Sequence, residues 1–174
     1  MLNKPHAYSP PPAETLRTIH LDKSLIVVDK PSGLLSVPGR GPEKAVCAVS
    51  ILTERYGEIF TVHRLDMDTS GVMVFARTKE AQRFLSMTFE QRKTEKLYES
   101  LVEGSLTPDH GTIDAAIARY SLNRPLRHLA ADGQEAITHW NVIGRSERST
   151  RVCLSPETGR SHQLRLHLAS IGHA

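Results

Sequence analysis

The chain has 174 residues, 39% hydrophobic and 24% charged, as is typical of a globular protein. Its 22 lysines and arginines exceed its 19 aspartates and glutamates by three, a modest excess that favours an anionic partner. No apolar run approaches the ~18 residues of a membrane helix, and no apolar signal core is recognisable at the N-terminus. Cys47 and Cys153 have neither metal nor redox spacing, so a reducing, cytoplasmic location is expected.

The N-terminal elements follow from turn residues and apolar runs. Residues 1–18 are rich in proline and predict a flexible tail, which leaves one folded domain over residues 19–174. A buried strand is expected at residues 25–28. It leads into a constrained loop at residues 30–39, which contains two prolines and two glycines.

The next elements are a helix over residues 45–56 that ends at Gly57, and a short strand over residues 59–63. A wholly apolar strand at residues 71–76 is expected to be central in its sheet. Thr78 can cap a following helix. This helix should carry its apolar residues on one side, namely Ala81, Phe84, Leu85 and Phe89.

The C-terminal half predicts more strands than helices. Strands are expected at residues 96–102, 112–117, 135–143 and 151–154. A loop with Arg124 and Arg127 separates the second and third of them, and a last helix opens at residues 159–161. Strands and helices do not alternate regularly, which predicts an α+β fold with a mixed, mostly antiparallel sheet and flanking helices.

Asp66 is the most informative residue, because it follows a His-Arg pair and precedes a stretch of small residues and an apolar strand. A carboxylate in this position is either a solvated turn acid or a nucleophile held on a rigid loop near positive charge.

Basic residues are concentrated in two windows, residues 77–96 and 145–165, each with a net charge of +3. Such local excess suits a phosphate backbone, and binding of that kind weakens as salt rises. Solvated helix faces and strand edges are the alternative interpretation.

Four ordered segments resemble the RluA-type pseudouridine synthases. They are residues 30–39 (KPSGLLSVPG), 63–66 with 69–71 (HRLD and TSG), 96–98 (KLY) and 159–167 (GRSHQLRLH). The first segment, together with residues 123–125 (NRP), resembles the RluA branch, which acts on 23S ribosomal RNA and on the anticodon stem-loop of transfer RNA. The resemblance covers residues 20–173 and implies the pseudouridine synthase catalytic fold.

The resemblance implies an isomerase that breaks the N-glycosidic bond of a uridine, rotates the base and rejoins it through carbon 5, without a metal or organic cofactor. Asp66 matches the family nucleophile. Tyr98 matches a tyrosine that stacks on the uracil and serves as a base. Arg165 matches an arginine that pairs with the nucleophile and keeps it ionised.

Further residues are expected to contact RNA. Arg64 matches an arginine that fills the space left by the flipped uridine. Arg124 belongs to the segment that resembles the RluA branch. The remaining candidates are His63, Arg160, His162 and Gln163, for which hydrogen bonds that fix the loop or the helix start are an equally good interpretation. The partner is RNA; no membrane and no protein partner are implied.

Two other functions remain open at this point. Residues 66–69 also fit the Asp-x-Asp-x-Thr signature of magnesium-dependent phosphatases, although no paired-acid segment follows. A non-catalytic RNA-binding remnant is the second alternative. It arises because family members continue past a Gly-His-Pro segment, whereas Ala174 stands at the proline position, so the C-terminal strands are expected to be missing.

Overall fold

The chain divides into two compact units, Met1–Lys93 and Thr94–Ala174, in the computed structural model, which describes residues 7–121 and 124–174. The sequence predicted one domain over residues 19–174, so this division was not anticipated. Each unit has its own antiparallel sheet, which agrees with the predicted α+β class.

The first unit contains strands β1 (Arg17–Leu21), β2 (Leu25–Lys30), β3 (Phe60–Thr61) and β4 (Gly71–Ala76). They form an antiparallel sheet in the order β1-β2-β4-β3, so β4 is an inner strand as predicted. Alternate residues of β2 are buried, beginning with Ile26 and Val28 and ending with Lys30, which is 0% exposed. A charged residue at the last buried position of a strand needs polar partners, because an unpaired buried charge is costly.

Two helices belong to this unit, α1 (Ala48–Tyr56) and α2 (Lys79–Glu90). Helix α1 ends at Gly57, whose φ of 83° suits glycine, and Thr78 Oγ1 caps α2 by accepting from Ala81 N at 3.1 Å. The sequence predicted both the end of α1 at Gly57 and the cap of α2 at Thr78. Phe84, one of the four apolar residues expected on one side of α2, is 68% exposed, so that side is only partly covered.

The segment before β1 is held to the first unit by hydrogen bonds and packing. The sequence predicted a flexible tail here and did not anticipate these contacts. Tyr8 Oη donates to the Val46 carbonyl at 2.9 Å and accepts from Leu35 N at 3.1 Å. Leu16 is 1% exposed, and the Arg55 guanidinium donates to its carbonyl at 2.8 Å. These contacts are tertiary, so the local proline content could not indicate them.

The second unit contains strands β5 (Tyr98–Glu103), β6 (His110–Asp114), β7 (Ile117–Ser121), β8 (Arg124–Leu129), β9 (Ile137–Arg145) and β10 (Ser149–Pro156). Strands β5, β10, β9 and β6 form one antiparallel sheet in that order, and β7 and β8 pair as a separate ribbon. The region of β8 was predicted to be a loop. Pairing with β7 makes it a strand, despite its proline and its charges.

Helix α3 (Gln163–Ser170) completes the second unit. Its Leu168 is buried in a cluster with the inward residues of the sheet, including Val152, Leu154 and Trp140, and Leu164 packs against this cluster. The helix therefore rests on the sheet through its apolar side. No helix in the described residues is long and apolar enough to span a membrane.

Candidate active site

The loop that carries Asp66 connects β3 to β4 in the first unit. Leu65 is buried, at 7% exposed, and Asp66 is half-buried. Their neighbours Arg64, Met67 and Asp68 are exposed. The backbone thus anchors one residue in the core and presents the next carboxylate at its margin.

The loop of residues 30–39 holds the backbone on both sides of Asp66. Ser36 Oγ donates to the Leu65 carbonyl at 2.6 Å and accepts from Leu65 N at 3.1 Å. The Met67 carbonyl accepts from Gly33 N at 2.9 Å and from Lys30 Nζ at 3.0 Å. These hydrogen bonds attach the residue before Asp66 and the residue after it to the loop of residues 30–39. The backbone of Asp66 therefore has little freedom, as a positioned reactive group requires.

Lys30 is the buried cation of this arrangement. Its ammonium donates to three backbone carbonyls, those of Leu34 at 2.7 Å, Pro31 at 2.9 Å and Met67. Burial lowers the pKa of Lys30 from 10.5 to about 8, and the nearby charges of Asp68 and Asp66 oppose that decrease. The sequence analysis placed Lys30 in a motif but assigned no role to it. The position of a lysine at the end of an apolar strand, directly before a loop with proline and glycine, was the one sign that it could be buried.

His63 fixes the start of the same loop. Its Nε2 accepts from Val74 N of β4 at 3.0 Å, and its ring stacks on Phe89 of α2, with centroids 4.5 Å apart and planes 17° apart. This geometry fits the loop-fixing interpretation of His63 given above, and a contact with RNA stays a prediction. Arg64, in contrast, is exposed, and its contact with RNA also stays a prediction.

In the second unit, Tyr98 is the first residue of β5 and pairs with Leu154 of β10. The ring is half-buried and packs against the apolar cluster. This packing restrains the ring, and the stacking of Tyr98 on a uracil stays a prediction.

Residues 159–167 form a hydrogen-bonded turn into α3 that is centred on Gln163, which is 4% exposed. Its Oε1 accepts from Thr158 Oγ1 and from Arg160 N, both at 2.9 Å. Its Nε2 donates to the Ile137 carbonyl and to Thr138 Oγ1, both at 3.0 Å. These four hydrogen bonds fit the interpretation in which Gln163 fixes the start of the helix, and its contact with RNA stays a prediction.

The same turn sets the position of Arg165, an exposed residue in the first turn of α3. Below it, His167 is 0% exposed and bonds to Thr138 Oγ1 at 2.9 Å and to the Ala115 carbonyl at 3.0 Å. Burial lowers the pKa of His167. The neutral, buried histidine anchors the helix whose opposite side presents the guanidinium of Arg165.

The other predicted RNA contacts also belong to the second unit. Arg160 is half-buried, and its Nε donates to the Glu135 carbonyl at 2.9 Å. His162 precedes α3 with a left-handed backbone, φ 59°. Arg124 begins β8, but its side chain lies outside the described part of the structure.

The structure therefore groups the predicted residues by unit. Asp66, Arg64 and His63 are in the first, and Tyr98, Arg165, Arg160, His162 and Gln163 are in the second. The pairing of Asp66 with Tyr98 and Arg165 stays a prediction. Among the described residues, no group of three His, Cys, Asp or Glu side chains is placed to hold a metal ion.

Comparison with known proteins assigns the family. The family model for RNA pseudouridylate synthase matches residues 24–170, which cover most of each unit and all four motifs. The chain belongs to this family and is an RNA pseudouridine synthase, an isomerase. The phosphatase alternative receives no support from this match.

Individual relatives point to one branch of the family. The chain is 43% identical to the dual-specificity RNA pseudouridine synthase RluA of Pasteurella multocida, over 96% of this chain and 77% of the relative. It is 45% identical to the RluA of Haemophilus influenzae, over 95% of this chain and 77% of the relative. Among solved structures, human RNA pseudouridylate synthase domain containing 1 matches with a TM-score of 0.78 and 26% identity, over 95% of this chain and 69% of that chain.

Proposed function

We propose that Asp66 is the nucleophile with which this chain converts uridine to pseudouridine in 23S ribosomal RNA and in the anticodon stem-loop of transfer RNA. The observation that carries the assignment is the attachment of the backbone on both sides of Asp66, through Leu65 to Ser36 and through Met67 to Lys30. Asp68, two residues later, is exposed, although its backbone carbonyl also accepts a hydrogen bond, from Ser32 Oγ at 2.8 Å. A rigid, half-buried carboxylate costs little reorganisation when it reacts.

The isomerisation needs no net exchange of atoms. The bond between ribose C1′ and uracil N1 breaks, the base rotates, and a bond from C1′ to C5 replaces it, with the C5 proton transferred to N1. Asp66 attacks either C1′ or uracil C6 to begin the sequence. Tyr98 supplies a wall for the detached base and accepts the proton that is lost. Arg165 supplies the positive charge that keeps Asp66 ionised.

Access to the uridine requires that the nucleotide leave the RNA stack, which costs a few kcal/mol. Arg64 is exposed one residue before the buried Leu65, on the same loop as Asp66. A planar guanidinium can hydrogen-bond and stack in the vacated position. We assign this replacement of the flipped base to Arg64.

The choice of RNA substrates follows from the relatives, which are named dual-specificity enzymes. We extend that dual specificity to this chain, together with the cytoplasmic location at which both RNAs are found. Recognition of a stem-loop by its shape would let one site accept both, since RNA is recognised mainly by shape and by unstacked loop bases.

The assignment of Asp66 is tested by carbodiimide labelling and primer extension on 23S and transfer RNA after treatment with wild type, Asp66→Asn or Asp68→Asn. We expect Asp66→Asn to abolish the pseudouridine stops and Asp68→Asn to retain them. Both variants remove one carboxylate from the same loop, so net charge is matched. Equal signal from wild type and Asp66→Asn refutes the nucleophile, and no signal from wild type favours the RNA-binding remnant.

Tyr98→Phe separates the two roles of the tyrosine. The phenyl ring keeps the packing on the cluster but has no hydroxyl, so loss of turnover with normal RNA affinity indicates proton transfer. Retained turnover would limit Tyr98 to stacking.

A further inference from the structure

A groove in the second unit collects arginines that the reaction does not use. It lies between the β7–β8 ribbon, the turn at residues 132–134 and the loop at residues 159–161, and has a volume of about 390 Å³. That volume is within the ~300–1,000 Å³ typical of ligand sites. Three arginines line it, Arg119, Arg127 and Arg160, against one carboxylate, that of Asp132.

The ribbon places two of these charges side by side. Arg119 of β7 and Arg127 of β8 are direct cross-strand partners, so their side chains leave the same face of the ribbon. Like charges that lie directly opposite each other destabilise a strand pair. Within the described residues, neither arginine forms a salt bridge, and Asp132 is the one carboxylate among the residues that line the groove. A bound anion would offset the repulsion between the two guanidiniums.

The walls of the groove are fixed in place. Gly133 lies so close to β7 that an added Cβ would be 2.6 Å from the Ile117 carbonyl carbon, and Ile117 and Gln134 exchange two backbone hydrogen bonds of 2.9 Å. On the opposite side, Arg160 is held by its Nε at Glu135 and by its backbone N–H at Gln163. A preformed site of this kind pays little ordering entropy on binding.

We propose that this groove binds backbone phosphates of the RNA substrate, outside the reacting nucleotide, and that Arg119 and Arg127 set affinity rather than rate. The proposal rests on the proposed function for the identity of the anion. Arginine is suited to the role because its planar fork donates to two phosphate oxygens at once. The pairing of two guanidiniums across one ribbon matches a strand that carries a charge on each nucleotide.

The test is the salt dependence of binding to an anticodon stem-loop RNA, measured by fluorescence anisotropy with the full chain. For Arg119→Gln with Arg127→Gln we expect affinity to fall about tenfold near physiological salt, and the slope of log K against log salt to decrease by about 1.5. The double variant Arg119→Lys with Arg127→Lys should keep most of the slope. A charge-matched control, Lys23→Gln with Arg40→Gln, removes two exposed cations from the first unit. An equal loss in this control overturns the proposal.

Single-turnover rates distinguish this proposal from the function itself. The Arg119 and Arg127 variant should reach the wild-type rate at saturating RNA, whereas Asp66→Asn should bind RNA with the wild-type slope and not react. Wild-type affinity and slope in the arginine variant refute the groove even if the enzyme is active. Titration with 5′-uridine monophosphate tests whether the groove binds a free nucleotide and not RNA. Tight binding of the nucleotide that is lost in the arginine variant, with RNA affinity unchanged, would assign the groove to a free nucleotide instead.

Discussion

Lys30 and Met67 are joined by a hydrogen bond of 3.0 Å from the buried ammonium to the carbonyl of the residue directly after Asp66. The lysine is at the end of a strand and the acceptor is on a loop 37 positions later. Through this bond Lys30, which has no proposed part in the chemistry, restrains the backbone next to Asp66, the proposed nucleophile.

Replacing Lys30 by methionine should destabilise the first unit. The substitution preserves length and apolar packing but leaves the carbonyls of Pro31 and Leu34 without this donor. We expect the free energy of unfolding to fall by about 1–3 kcal/mol, with lower single-turnover activity. Urea denaturation measures the first effect. Lys23→Met, in an exposed turn, is the control, and an equal loss there would show that the buried contacts are not responsible.

The ionisation of Lys30 predicts a pH dependence. Its folded pKa of about 8 is below the ordinary value of 10.5, so the unfolded chain holds the proton more tightly between these values. The associated stability is present above pH 10.5 and is lost as the pH falls to about 8. The stability of wild type relative to Lys30→Met should therefore rise from about pH 7.5 to about pH 9.5 in urea titrations. A constant difference across that window would contradict the burial of an ionisable amine.

Gln163→Leu should affect stability more than RNA binding. In a buried site, the amide forms hydrogen bonds with Thr158, Thr138, the Ile137 carbonyl and Arg160 N, and leucine can form none of them. We expect a loss of about 2–3 kcal/mol, detected by thermal melting. Gln134→Met, which changes an exposed glutamine of the same unit, should be close to neutral. A stable Gln163→Leu protein with weak RNA binding would contradict this expectation and support the RNA contact predicted from the sequence.

Two glycines of the groove form a matched pair. A Cβ at Gly133 would be within 2.6–2.8 Å of the β7 backbone, whereas a Cβ at Gly159 would meet nothing within 4 Å. Gly133→Ala should cost about 1–3 kcal/mol through overpacking, and Gly159→Ala should be nearly neutral. Thermal melts of both variants test this, and similar melting temperatures would argue against close contact between the turn and the ribbon.

Local signals predicted much of the fold. The apolar runs at β2 and β4, the stop at Gly57 and the cap at Thr78 depend on neighbouring residues, and each was located from the sequence. The β7–β8 ribbon was missed because its stability comes from strand pairing, while its charges and proline are typical of a loop. The exposure of Phe84 could not be predicted, because helical periodicity indicates which residues share a side of a helix and not how deeply that side is covered.

The sequence predicted which segments contribute to the site but not what each side chain in them does. The resemblance indicated which segments matter, and His63 and Gln163 lie in them, yet both side chains fix backbone in the structure. Lys30 and Ser36 could not be assigned in advance, because their function depends on carbonyls that only the folded loops bring together.

The bound segment before β1 has a practical consequence for protein production. An expression start at residue 19, which the proline-rich composition suggests, would remove Tyr8 from the carbonyl of Val46 and the amide of Leu35, and would delete the buried Leu16. Leu35 belongs to the loop that grips the backbone around Asp66. A shortened protein would therefore compromise catalysis from a distance, and an inactive preparation of that kind would say nothing about the enzyme.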